Sequence, residues 1–205
     1  MKDKPAAVFV VDDDEGVRTS LRLLIRSIGL PVETFDSAQE FLAQFDPERP
    51  GCLVLDIRMP GMSGLELQQK LNERHAITPI VFITGHGDVP MAVEAMQAGA
   101  IDFVQKPFRD QDLIDRINRA LEKDRTNRAA LRERDAIRQR IAELTPRERE
   151  VLELVTKGRA NKVIAGDLSV SQRTDEIHRA RVMEKMGASS LAHLVRMVIE
   201  ADRAG

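Results

Sequence analysis

Five polar side chains stand at or just beyond the C-terminal ends of short apolar runs: Asp12, Asp13, Asp56, Thr84 and Lys106. In a parallel α/β sheet these strand ends converge on one crevice, where ligands bind. Carboxylates suit Mg2+, one carboxylate can act as a nucleophile, and a lysine supplies positive charge to a phosphoryl oxygen. The set predicts a site that takes up a phosphoryl group on Asp56 with the help of Mg2+.

Each of these residues also has a simpler explanation. Acidic residues after strands often cap helices, and Asp14 or Glu15 is expected to do so here. For any one of these residues alone, helix capping or exposure to solvent is a better explanation than a catalytic or binding role. The presence of all five residues at strand ends, in the right order along the chain, favours a functional site. The Lys106–Pro107 bond is expected to be cis, because it directly follows a strand and must direct the lysine inward.

Strand and helix patterns alternate through residues 1–120. The predicted strands are Ala7–Val11, Val32–Phe35, Cys52–Leu55, Ile80–Ile83 and Ile101–Val104. Amphipathic helical patterns lie between them and after the last. Five such repeats predict a doubly wound parallel sheet with right-handed crossovers. No glycine-rich phosphate loop follows the first strand, which argues against a dinucleotide or nucleoside triphosphate domain.

Composition and charge set further limits. Cys52 is the single cysteine, so no intramolecular disulfide is expected, which fits a cytoplasmic location. No apolar stretch approaches the ~20 residues of a membrane span. Residues 1–120 hold 13 Lys and Arg against 19 Asp and Glu, whereas residues 144–205 hold 11 against 9. This asymmetry predicts two domains with different partners, although the basic excess alone does not indicate nucleic-acid binding.

Residues 122–143 differ from both neighbours because about half are charged and Gly and Pro are absent. We predict a semi-rigid helical linker that continues the fifth helix. Ala130, Ile137 and Leu144 are seven residues apart, so a short coiled coil is the alternative.

From Leu144 onward the pattern is wholly helical. Thr145, Pro146 and Glu148 predict a helix start, with threonine as N-cap and glutamate at the third position. Further helices are predicted at about 162–168, 172–186 and 191–201. Two short helices joined by a tight turn within a four-helix unit are typical of a helix-turn-helix.

Four sequence runs carry a family resemblance: Val10–Asp13, Leu55–Gly64, Thr84–Gly85 and Lys106–Phe108. Together they resemble the receiver domain of two-component response regulators, which implies a flavodoxin-like (βα)5 fold over residues 1–121.

The resemblance implies roles for individual residues. Asp56 corresponds to the phosphoacceptor, while Asp12, Asp13 and the backbone carbonyl of Arg58 correspond to ligands of Mg2+. Lys106 corresponds to the lysine that stabilises the phosphoryl group.

Thr84 and Phe103 correspond to the switch pair, in which the hydroxyl moves toward the phosphoryl group and the ring repacks inward. Phe103 replaces the commoner tyrosine, and a simple buried strand residue is its alternative interpretation.

The run Gly85–Met96 resembles the FixJ subgroup of the FixJ/NarL family. That resemblance implies a sensor histidine kinase as phosphodonor and a homodimer formed through the fourth helix and fifth strand after phosphorylation. His86 lies in this run, and we interpret it as a loop residue rather than a catalytic base.

Residues 144–205 resemble the LuxR-type helix-turn-helix, with a recognition helix at about Gln172–Lys185. Analogy places Glu176, Ile177 and Ala180 near base edges. The remaining predicted DNA-binding residues are Thr174 and four candidates for phosphate contacts, Lys162, Arg173, Arg179 and Arg181. Asp175 departs from the pattern, because the family has an apolar residue there.

These resemblances predict a phosphorylation-activated transcriptional regulator that binds promoter DNA, with activation through RNA polymerase. The protein would catalyse only its own phosphoryl transfer and slow dephosphorylation. A haloacid-dehalogenase-like phosphatase is one alternative, but such enzymes carry a second acid two residues after the nucleophile, where this chain has Arg58. A receiver used purely for protein–protein signalling is another, against which the helix-turn-helix argues.

Overall fold

The computed structural model of this chain describes residues 5–85, 89–157 and 172–202. The chain divides into two compact units, Met1–Arg128 and Ala129–Gly205. None of the helices in the described part combines the length and apolar character needed to cross a bilayer.

The first unit is built on five parallel strands. They are β1 (Ala7–Val11), β2 (Val32–Phe35), β3 (Gly51–Asp56), β4 (Ile80–Thr84) and β5 (Asp102–Gln105), in the order β2-β1-β3-β4-β5. The predicted doubly wound sheet is therefore confirmed. Asp56 and Thr84 are the last residues of their strands, whereas the sequence pattern alone ended both strands one residue earlier.

Helices cover both faces of this sheet. They are α1 (Glu15–Ser27), α2 (Ala38–Gln44), α3 (Gly64–Glu73), α4 (Val89–Gln97) and α5 (Asp110–Ala142). Helices α2, α3 and α4 pack on the face that carries Leu53 and Leu55, and α1 and α5 pack on the face that carries Cys52 and Val54. Because strand side chains alternate between faces, burial on both sides makes β1, β3 and β4 continuously apolar up to their polar ends. The edge strands β2 and β5 also carry polar residues.

The second unit is helical in its described part. The C-terminal portion of α5 is followed by α6 (Pro146–Thr156), α7 (Gln172–Met186) and α8 (Leu191–Asp202). A buried cluster includes Ile137 from α5, Val151 from α6, Val182 from α7 and Leu194 from α8. The helix predicted at about 162–168 lies outside the described residues.

Glu148 links two of these helices. It completes the predicted capping box with Thr145 at the start of α6. Its Oε2 also accepts a hydrogen bond from Lys185 Nζ at 2.7 Å, near the end of α7, and Glu148 is buried. The hydrogen bond from Lys185 and those at the helix start lower the pKa of Glu148 from 4.5 to about 2.

Replacing Glu148 with Gln should lower the melting temperature of the second unit by a few degrees at pH 7. A carboxylate whose pKa is lower in the folded state contributes stability above its unfolded pKa, and that contribution is lost as the pH falls toward the folded value. The difference between wild type and Glu148→Gln should therefore shrink between about pH 5 and pH 2.

Calorimetry of the full chain across this pH range measures the difference. Glu150→Gln is the matched control, because Glu150 pairs with Arg147 at an exposed position of the same helix. An equal loss of stability in both variants, or a difference that does not depend on pH, would contradict the assignment.

Candidate functional site

Two carboxylates and one ammonium group meet at the C-terminal edge of the sheet. Lys106 Nζ lies 2.8 Å from Asp56 Oδ1 and 3.1 Å from Asp12 Oδ2. Asp12 and Asp56 are almost fully buried, whereas the lysine side chain remains about one-third exposed (32%). The Lys106–Pro107 bond is cis, as predicted. The strand ends therefore bring together three of the five residues singled out in the sequence.

Backbone amides fix the second oxygen of each carboxylate. The amide of Asp14 donates to Asp12 Oδ1 at 2.9 Å, and the amide of Arg58 donates to Asp56 Oδ2 at 2.7 Å. Asp14 also caps α1, as expected. Both carboxylates are thus held in defined orientations before any ligand arrives.

The first residue of helix α3 lies in close contact with the end of β3. The Gly64 amide donates to the carbonyl of Ile57 at 2.9 Å, and a Cβ on Gly64 would lie 2.2 Å from the carbonyl oxygen of Asp56. No side chain fits at that distance, so glycine is required. This explains why the run that resembles receivers ends on glycine.

Burial and neighbouring charges shift the pKa values of Asp56 and Lys106. Burial raises the pKa of Asp56, Lys106 opposes that change, and the charge of Asp12 adds to it. Burial alone would lower the pKa of Lys106, but the two carboxylates outweigh it, so its pKa is raised. The lysine is therefore a firmly charged group beside two crowded acids.

The acidic pair is suited to a hard cation, because one ammonium leaves two buried carboxylates incompletely neutralised. Asp13, by contrast, is exposed. Over residues 5–85, 89–157 and 172–202, no three His, Cys, Asp or Glu side chains come together as a metal site. A bound cation would need backbone, water or phosphoryl oxygens in addition to Asp12 and Asp56, and the ligand role of Asp13 stays a prediction.

The predicted switch residues occupy different environments. Thr84 is buried, and its hydroxyl donates a long hydrogen bond of 3.4 Å to the carbonyl of Val104. Phe103 is 36% exposed on β5, so its interpretation as a buried strand residue is wrong. Alternation along the strand places Val104 in the core and turns Phe103 outward.

Exposed apolar side chains accompany Phe103. Val93 and Met96 of α4 are 50% and 38% exposed. Asp102 at the start of β5 pairs with Arg116 and Arg119 of α5. Helix α4 and strand β5 therefore each expose apolar side chains, and β5 also carries a charged residue that is paired with α5.

An open groove of about 870 Å3 lies beside the site. Its walls come from α1 and from the segment that leads into α5, and they include Val17, Leu24, Phe108 and Lys106. The groove thus gives a largely apolar approach to the lysine that contacts both carboxylates.

Helix α7 presents a polar surface opposite a buried stripe. Glu176, Ile177, Ala180 and Arg181 are exposed, while Arg179 is half-buried. Val182 and Met186 are buried against the rest of the second unit. The exposed set matches the predicted DNA-facing surface, but its contacts with DNA stay a prediction.

Several predicted residues lie outside what the structure describes. They are Lys162, His86 and the side chains of Arg173, Thr174 and Asp175.

Arg18 is a further residue of the site, which the sequence pattern did not indicate. Arg18 Nη1 donates to the carbonyl of Asp12 at 2.8 Å, which ties α1 to the end of β1. An arginine in the first turns of a helix carries no distinctive signal in a single sequence.

Each of the two units matches a known protein family. Residues 8–118 match the family of response regulator receiver domains, and residues 142–198 match the bacterial regulatory proteins of the luxR family. Nodulation protein W of Bradyrhizobium diazoefficiens is 49% identical over 192 residues, which are 94% of this chain and 85% of that protein. Transcriptional regulatory protein FixJ of Rhizobium meliloti is 50% identical over 192 residues, 94% of each chain.

A solved structure extends the likeness to three dimensions. The low-resolution structure of the response regulator StyR shares 50% identity with this chain and has a TM-score of 0.84. The match covers 96% of this chain and all of that one. These matches favour a DNA-binding regulator over a phosphatase or a stand-alone adaptor. The chain therefore belongs to the response regulators that join a receiver domain to a luxR-type DNA-binding domain.

Proposed function

We propose that Asp56 accepts a phosphoryl group from a phosphohistidine of a sensor kinase, with Mg2+ as cofactor. The phosphorylated chain then forms a homodimer and binds promoter DNA to activate transcription with RNA polymerase. The observation that carries this proposal is the position of Lys106 Nζ, within hydrogen-bonding distance of Asp12 and Asp56 at the end of the sheet.

The transfer needs a charged carboxylate beside a cation. An oxygen of Asp56 attacks phosphorus, the N–P bond of the phosphohistidine breaks, and the imidazole nitrogen keeps the electron pair. Lys106 stays close to Asp56 and offsets the negative charge that the phosphoryl oxygens bring. The apolar groove beside Lys106 is a suitable approach for the kinase.

Mg2+ would supply further neutralisation of the phosphoryl oxygens. We propose that Asp12, Asp13, Asp56 and the backbone carbonyl of Arg58 hold it. The incompletely neutralised pair of buried carboxylates supports this assignment. No other chemistry is proposed for the chain beyond its own phosphoryl transfer and slow dephosphorylation.

Asp56→Asn should abolish labelling by radioactive acetyl phosphate, because an amide is a far poorer nucleophile than a carboxylate. Removal of Mg2+ with a chelator should strongly suppress labelling of the wild-type chain. Label retained by the protein after gel filtration gives the measurement.

The control is Asp36→Asn, which neutralises an exposed aspartate that lies beyond the end of β2. It should label like wild type. Label that persists in Asp56→Asn would place the acceptor elsewhere.

The exposed face of α4 and β5 supports the proposed dimer. Phosphorylation adds roughly −1.5 to −2 charges beside Thr84. The hydroxyl of Thr84 would turn toward the phosphoryl group, and Phe103 would move inward from its exposed position. Val93 and Met96 would then form the apolar part of the contact between two copies.

Val93→Asp should prevent phosphorylation-dependent dimerisation, because it places a charge in the apolar centre of this face. Its labelling by acetyl phosphate should be unchanged. Sedimentation velocity with and without acetyl phosphate measures the dimer.

Leu23→Asp is the control, because Leu23 is also exposed (66%) but lies on α1. It should dimerise like wild type. A Val93→Asp chain that still dimerises would exclude this face.

The exposed surface of α7 supports DNA binding. Glu176, Ile177 and Ala180 would approach base edges, and Thr174 would also belong to the DNA-binding residues. Lys162, Arg173, Arg179 and Arg181 would contact phosphates, which fix the position of the helix without specifying sequence.

Arg181→Gln should weaken binding to all DNA sequences and reduce the slope of log affinity against log salt by about one. The probe is a duplex that the phosphorylated wild-type chain enriches from a random pool, called the selected duplex below. Fluorescence anisotropy at several salt concentrations gives the slope.

Arg196→Gln removes the same charge from an exposed position on α8. It should leave the slope unchanged. The same loss of slope in both variants would mean that general charge, rather than α7, sets the affinity.

The domain bounds and the location also belong to this proposal. Residues 1–121 form the receiver domain, residues 122–143 the charged helical linker and residues 144–205 the DNA-binding domain. The site of action is the cytoplasm, where the single cysteine suits a reducing environment.

A further inference from the structure

The inward face of α5 changes from apolar to charged along its length. Leu113, Ile117 and Ala120 are buried in the core beneath the sheet. At the same helical spacing follow Asp124 and Arg128, which are 2% and 8% exposed. The buried side of α5 therefore continues with an ion pair, at positions where apolar residues such as leucine would be expected.

Asp124 and Arg128 form hydrogen bonds with each other and with backbone groups of the first unit. Arg128 Nε donates to both oxygens of Asp124 at 3.0 and 2.9 Å, and its Nη2 donates to the carbonyls of Pro47 and Arg49 at 3.0 and 2.8 Å. Asp124 Oδ2 accepts a hydrogen bond from the amide of Gly51 at 3.0 Å. The pair thus joins α5 to the segment between α2 and β3.

The segment between α2 and β3 is anchored to the sheet by contacts of its own. Arg49 makes a two-pronged ion pair with Glu33 of β2, and its guanidinium lies 5.1 Å from the ring centroid of Phe9. A Cβ on Gly51 would lie 2.1 Å from the carbonyl oxygen of Ala7, so β1 and β3 approach closely there. The ion pair therefore fastens α5 to a rigid part of the sheet.

Buried ion pairs are costly, and apolar residues of similar volume often give equal or greater stability. The charged pair instead fixes orientation, because three of its hydrogen bonds leave α5 and reach the backbone of Pro47, Arg49 and Gly51. These directional bonds fix the rotation and lateral position of the helix, whereas apolar packing would tolerate sliding. Arg128 is also the last residue of the first unit, and α5 runs on from it to Ala142. The pair thus acts where the helix leaves that unit.

We propose that Asp124 and Arg128, here called the Asp124–Arg128 clamp, are positioning residues that fix how α5 leaves the receiver, and that phosphorylation of Asp56 alters DNA binding only when this clamp is intact. The proposal rests on the function proposed above. It assigns to the first part of the predicted linker a role in signal output, since residues 122–128 are anchored to the receiver rather than acting as a free spacer.

The test compares two double variants in the full chain. Asp124→Asn with Arg128→Gln removes both charges of the clamp and leaves the net charge unchanged. Glu122→Gln with Arg125→Gln is the matched control, because that pair is exposed one turn away on the same helix. Labelling by acetyl phosphate, affinity for the selected duplex with and without acetyl phosphate, and amide hydrogen exchange are measured on both.

The clamp variant should be labelled to the same extent as wild type, which shows that the receiver is folded and active. Its gain in DNA affinity on phosphorylation should disappear, whereas wild type and control should keep a gain of about fivefold or more. Amide exchange should accelerate in residues 45–51 and 122–128 of the clamp variant only.

Two outcomes would overturn the proposal. If the labelled clamp variant keeps the full gain in DNA affinity, the pair is merely structural. If it loses labelling, the pair serves the fold of the receiver rather than its output. Should wild type itself show no gain, the proposed function fails, and unchanged exchange in the clamp variant would then separately refute the anchoring of α5.

Discussion

One ammonium group holds two desolvated carboxylates at the edge of a parallel sheet, and the first unit is arranged around that constraint. Lys106 contacts Asp12 and Asp56, and burial of these acids raises the pKa of Asp56 while leaving negative charge incompletely balanced. Such an arrangement is unfavourable in an isolated peptide. It persists because β1, β3 and β5 are fixed by the sheet and by helices on both faces, so the charges cannot move apart.

Strand β3 has a charged contact at each of its two ends. Asp56 closes the strand beside Lys106, and Gly51 opens it with an amide that donates to Asp124. Between them the strand is apolar and buried on both faces. Asp56, the proposed phosphoacceptor, and the helix that leads out of the unit are therefore attached to the same strand.

In the second unit, too, a buried charged side chain fixes the position of secondary-structure elements. Glu148 caps α6 and pairs with Lys185 of α7, so one carboxylate satisfies a helix start and places the end of the helix that carries the predicted DNA-facing residues. Mutually supporting hydrogen bonds of this kind orient a helix more strongly than apolar packing alone. Orientation matters here because the basic excess of residues 144–205 is small, and specific placement of side chains must contribute to recognition.

The sequence by itself determined the five strands, the order of acidic, hydroxyl and amine groups at their ends, the helix cap at Thr145 and the receiver and luxR-type resemblances. The strands and the shared position of their polar ends follow from local periodicity and from the rule that parallel strand ends share one edge. The helix cap follows from the residue types at a helix start, and the two resemblances rest on short sequence motifs. Only the tertiary structure decided the outward position of Phe103, the pairing of Glu148 with Lys185, and the contact of Asp124 with Gly51. Residues in the last pair are 73 positions apart. The identity of such partners depends on how helices pack on the sheet, which no local pattern encodes.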